Sequence, residues 1–202
     1  TVVLALAACS GSSKVRKPAE LVSVTNQFDL QPIWSTSVGS SEPFNFHPVV
    51  AGDAVYVASH RVNLARIDVA SGNKTWEVSV PERLSVGPGS DGRTTVAVTT
   101  KGMVYAYDDA GKPIWNVSVG SEVLSEPVVA GGVVVVRALD NRFIGLDALT
   151  GARKWTYQRQ QSALSLRVGY GMLSIGNEVI VTGFTGGRFG MIAIANGGLV
   201  WE

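Results

Sequence analysis

Cysteine is almost missing: the 202 residues contain one, Cys9, so no disulfide can close within the chain. Histidine is nearly as scarce, and His47 and His60 are widely separated, which removes a Cys/His zinc site. Charged residues make up only 16% of the chain and balance to a formal +1, leaving no electrostatic basis for nucleic-acid binding. Apolar spacing at a sustained 3.6-residue period is also absent, which argues against a helical solenoid. What is abundant is glycine, at 23 residues, beside an apolar content dominated by Val, Leu, Ala and Ile. That mixture suits many short strands joined by tight turns, in one large all-β domain or two ordinary ones.

One short phrase organises the chain. A Gly, three residues and a Trp recur as Gly72 to Trp76, Gly111 to Trp115, Gly151 to Trp155 and Gly197 to Trp201. Trp34 stands one period upstream without its Gly, and the steps from Trp to Trp are 42, 39, 40 and 46 residues. A period near 40 marks a repeat architecture. The run Pro48-Val-Val-Ala-Gly-Asp-Ala-Val-Tyr-Val57 matches Pro127-Val-Val-Ala-Gly-Gly-Val-Val-Val-Val136 at seven of ten positions, 79 residues on. Each period reads as a Val run, a Gly turn, a second Val-rich strand, a third strand, another Gly turn and a strand opened by Trp. Gly52, Gly92, Gly131-Gly132 and Gly176 supply the first turn.

Four short strands in about 40 residues predict a β-propeller blade. The third strands are Leu64–Asp68, Val104–Asp108, Ile144–Asp147 and Met191–Ile194, and the three aspartates are expected to accept hydrogen bonds from the turn that follows. Ala193 takes that place in the fourth period. Strict recurrence of Trp predicts a plate that packs one blade onto its neighbour, in preference to an aromatic binding box. Trp34-Ser-Thr-Ser-Val38 reads as an outer strand with no blade before it, and the last phrase supplies its own outer strand. About four blades are therefore expected of a probable eight, with residues 32–202 forming the N-terminal half of a larger ring.

The amino end reads differently. Leu6-Ala7-Ala8-Cys9 matches a bacterial lipobox at the tail of an apolar segment, and Gly11-Ser-Ser follows as a spacer. Residues 1–8 are read as the remnant of a lipoprotein signal peptide, with Cys9 as the lipidation site; acyl chains there would hold the protein on a bilayer. Ser10, where inner-membrane retention would want Asp, favours the outer membrane. Residues 9–31, polar and punctuated by Pro, are read as the lipidated Cys and a flexible tether.

With Cys9, Ile33-Trp-Ser-Thr-Ser-Val-Gly39, the Asp-x-x-x-Gly-x-x-x-Trp phrases, Leu124-Ser-Glu-Pro-Val-Val129 and Leu164-Ser-Leu-Arg167, the chain resembles the BamB-type lipoproteins of the outer-membrane β-barrel assembly (BAM) machinery. The blade phrase alone says only a PQQ-like, quinoprotein-type propeller; the lipobox and the Leu-Ser-Leu-Arg motif narrow it. The resemblance covers the whole chain and about half the family's length. It implies an eight-bladed, non-enzymatic scaffold without cofactor or metal, held at the periplasmic face of the outer membrane, which binds the POTRA region of the barrel-assembly protein BamA and aids insertion of outer-membrane proteins.

The resemblance also implies that Leu164, Leu166 and Arg167 touch that partner. Their residue types alone leave two readings open. Two apolar anchors beside an Arg fork on an exposed connection make a usual hot-spot mixture. An ordinary strand, with both Leu in the core and Arg in water, would use the same residues. Two other functions stay in view: a quinone-dependent dehydrogenase-like propeller, which shares the blade phrase, and a propeller that binds unfolded clients or peptidoglycan partners through its blade edges.

Overall fold

The computed structural model describes residues 18–22, 28–61, 63–159, 171–184 and 186–202. Its contacts divide the chain into a unit of residues 1–33 and a unit of residues 34–202. The described part of the first unit carries no strand or helix, and its apolar residues Leu21, Phe28, Leu30 and Ile33 are exposed.

Among the described residues, sixteen strands build the second unit as four antiparallel four-stranded sheets, each a simple meander. The first blade holds β1 (Val49–Ala51), β2 (Ala54–Ala58), β3 (Asn63–Asp68) and β4 (Lys74–Ser79). The second holds β5 (Gly89–Ser90), β6 (Thr95–Val98), β7 (Met103–Tyr107) and β8 (Pro113–Ser118). The third holds β9 (Val128–Ala130), β10 (Val133–Arg137), β11 (Arg142–Asp147) and β12 (Arg153–Gln158). The fourth holds β13 (Met172–Ile175), β14 (Val179–Phe184), β15 (Arg188–Ala193) and β16 (Leu199–Trp201). This is the partial β-propeller that the period predicted, with the blades where the phrases placed them.

The near-continuous valine of the second strands follows from burial on both faces. Along β10, Val134 and Val136 pack with Val96, Val98 and Val104 of the second blade. The alternate residues Val133 and Val135 pack with Ile180, Phe184 and Ile192 of the fourth. Side chains of period two thus serve two seams, and neither face is left for water. Outer strands β4 and β8 alternate exposed and half-buried residues, as expected where one face meets solvent.

The recurring Trp joins blades by a step forward. Each indole nitrogen donates to a carbonyl in the next blade's last turn: Trp34 to Val69 (2.8 Å), Trp76 to Asp109 (2.9 Å), Trp115 to Ala148 (2.9 Å) and Trp155 to Ile194 (2.8 Å). Each ring also lies against the Gly of the next blade's phrase. A Cβ added at Gly72 would stand 2.6 Å from the Trp34 ring, at Gly111 2.9 Å from Trp76 and at Gly151 2.7 Å from Trp115. Gly197 faces Trp155 in the same way. These glycines also hold φ near +72° to +78°, where a side chain is strained. Trp34 fills its groove although residues 34–40 form no strand.

The turn aspartates do what their position predicted. Asp68 accepts from the Ser71 amide (2.8 Å) and hydroxyl (2.6 Å), and Asp147 from the Leu149 and Thr150 amides (3.1 and 3.0 Å). Asp108 accepts from Ala110 and Lys112 (3.0 and 2.7 Å) across a turn one residue shorter. In the fourth blade the backbone bond from Gly197 to Ala193 (2.9 Å) persists without a carboxylate, and Asn196 accepts from Gly198 instead (2.9 Å). The Ser71 hydroxyl and then its amide hold Asp68 below the ordinary carboxylate range. The Thr150 hydroxyl does the same at Asp147, against opposing desolvation.

Candidate functional site

Three connections carry the chain from one blade's outer strand to the next blade's inner strand. Those of residues 80–88 and 119–127 are nine residues long, whereas that of residues 159–171 is thirteen. The two shorter ones are stitched in: Leu84 bridges Thr99 and Val123 bridges Ala138. Val80, Leu84 and Val86 are buried in the first, Val119 and Val123 in the second. Thr100 donates to the Arg83 carbonyl (3.0 Å) and Leu139 to that of Glu122 (2.8 Å), tying each connection to a neighbouring turn. A nine-residue path is thus enough to cross between blades and fill the core. The third connection carries four residues beyond that need, and Leu164, Leu166 and Arg167 lie within it.

Those three residues fall in the stretch 160–170, outside the described residues, as does Cys9. The connection's two ends are described. Arg159 is an ion-pair partner of Glu202, which Arg188 also engages at 3.0 Å. Gly171 lines a cavity of about 370 Å3 with Phe44, His47, Ser85, Leu124 and Glu126, contributed by the entries to the inner strands. His47 Nδ1 lies 2.7 Å from Glu126 Oε1 there, joining the entries to β1 and β9. Among the described residues, no three or more His, Cys, Asp or Glu side chains converge as a metal-binding group.

Sequence reasoning passed over Arg137, which is 4% exposed at the end of β10. The available signal was one charge closing a run of four valines in a strand that both flanking blades bury.

The four-stranded meanders and forward-reaching Trp define the chain as a quinoprotein-like β-propeller. BamB from Moraxella catarrhalis superposes with a TM-score of 0.67 at 23% identity, over 77% of this chain and 47% of that one. The quinohemoprotein alcohol dehydrogenase ADHIIG from Pseudomonas putida HK5 superposes with a TM-score of 0.60 at 13% identity, over 80% of this chain and 34% of that one. At those identities the likeness is one of fold alone. The family model described as outer membrane protein assembly factor BamB matches residues 60–202, and the chain belongs to that family. Relatives bearing the same name are 37% identical in Burkholderia pseudomallei, over 99% of this chain and 53% of the relative, and 38% identical in Bordetella pertussis, over 100% and 53%. The chain spans about half the length of these curated relatives.

Proposed function

We propose that this chain is the N-terminal half of a propeller that serves as a non-enzymatic scaffold of the BAM machinery. In this reading residues 1–8 are the remnant of a lipoprotein signal peptide and Cys9 is acylated. Residues 9–31 tether residues 32–202 to the periplasmic face of the outer membrane. Leu164, Leu166 and Arg167 bind the POTRA region of a BamA-type protein, and the assembled complex aids insertion of outer-membrane β-barrels.

Family membership carries the reading: relatives over nearly the whole chain are named outer membrane protein assembly factors. The long connection supports the placement of the contact. It is four residues longer than the connections that bridge the other blades, and two leucines with an arginine fit an interface centre. The double substitution Leu164→Ala, Arg167→Ala is expected to abolish co-purification with the BamA-type protein while the circular dichroism of the blades is unchanged. Retained binding would overturn the assignment. Cys9→Ala is expected to release the protein from the membrane fraction, and a membrane-bound variant would overturn the anchor.

A further inference from the structure

The joint of Trp and Gly is the same at every seam, so it does not tell one blade from another. A second contact, near the ends of the second strands, differs from seam to seam. Pairing register sets Ala58, Val98, Arg137 and Gly183 at equivalent places, opposite Leu64, Val104, Phe143 and Phe189. One position earlier stand Val57, Ala97, Val136 and Thr182. At the first seam Ala58 shares a packed cluster with Ala97 of the next blade. At the second, Val98 shares one with Val136 of the next blade. At the third, Arg137 meets Thr182, and both are buried. Each seam pairs like with like: alanine, then valine, then polar groups.

The third pairing is directional. Arg137 Nη1 donates to Thr182 Oγ1 (2.9 Å) and to the Gly183 carbonyl (2.7 Å). Thr182 gives its own hydrogen to the Gly171 carbonyl (3.0 Å), so lone pairs are what it turns to the guanidinium. The guanidinium carbon also lies 5.0 Å from the Phe143 ring centroid and 5.8 Å from that of Phe184. Set against the first or second blade, the same group would meet Val57 or Ala97, whose side chains accept nothing. Burying a guanidinium without its acceptors is costly, whereas a hydrocarbon replacing a satisfied buried charge often loses nothing. A contact of that kind discriminates between neighbours more than it stabilises.

We infer that Arg137 and Thr182 are a recognition pair inside the fold, which admits the fourth blade beside the third and refuses the others. The chain carries the same Trp and Gly joint four times, and blades from elsewhere in the molecule or from another copy would fit it. The third seam has the greatest need of such a pair. Its connection has thirteen residues against nine at the first two, and by length alone restrains its blades less.

The test is a cycle of Arg137→Met and Thr182→Val in the intact protein, read by urea unfolding and by the monomer recovered after refolding. Thr182→Val leaves the guanidinium facing a methyl group, and is expected to raise the unfolded-to-folded ratio about thirtyfold. Adding Arg137→Met makes the seam apolar like the first two, and is expected to return that ratio to within about fivefold of the parent. On refolding, the double variant is expected to yield about a third of the parent's monomer, with oligomers making up the rest on size-exclusion chromatography. An unaffected Thr182→Val protein would overturn the pair at the outset. A double variant as unstable as Thr182→Val alone would show that the charge merely stabilises the seam, and would overturn the recognition role. So would a stable double variant that refolds to monomer as completely as the parent. If Thr182→Val does not fold, the double variant decides by the same two readings.

Discussion

Gly151 and Gly132 hold the same φ of 72°, yet their surroundings differ completely. An added Cβ at Gly151 would stand 2.7 Å from the Trp115 ring, while at Gly132 nothing lies within 4 Å. Gly132→Ala should therefore cost about 1–2 kcal/mol, the strain of a left-handed backbone. Gly151→Ala should cost about 1–3 kcal/mol more, because the ring must move. Urea denaturation of the two variants separates the contributions, and equal losses would show that the ring yields freely. The turn aspartates add a pH dependence. Asp68 and Asp147 are held below the ordinary carboxylate range when folded, so their stabilising contribution is present above the unfolded value. It is lost as pH falls through the depressed folded values. The midpoint of chemical denaturation should fall less steeply in acid for Asp68→Asn with Asp147→Asn than for the parent.

At the scale of the element, the blade was legible because each of its needs leaves a residue behind. Left-handed turns demand Gly, strands buried on both faces demand β-branched residues, and the seam demands a large plate. What escaped the sequence is pairing between repeats. Gly151 and Trp155 are neighbours in the chain and read as parts of one turn, but Gly151 receives Trp115, and Trp155 lies on Gly197. Only the stacking of successive blades reveals that offset. The same holds for the charge that ends β10. Arg137 could be read from sequence, whereas its partners Thr182 and Gly183 come from the next blade. Trp115→Ala should destabilise by about 3–5 kcal/mol, measured by thermal or urea unfolding. Its amide-exchange signature should appear in the turn of residues 147–152, beyond the seam, more than in its own blade's turn of residues 108–112. The reverse pattern would contradict the forward reach of the indole.

Across the molecule, every seam from Trp34 to Gly197 is joined in the same direction, by a ring from the earlier phrase and a bare backbone in the later one. A single repeat therefore carries both a tongue and a groove, and the tongue of any copy fits the groove of another. A tandem duplication of such a unit arrives with a working joint already in place, and no second mutation is needed to make old and new copies fit. Selection can then vary the number of units, or lengthen the stretch between two of them, without redesigning the joinery. The connection of residues 159–171, four residues longer than its two counterparts, is spacing of that kind beside a joint of the common pattern.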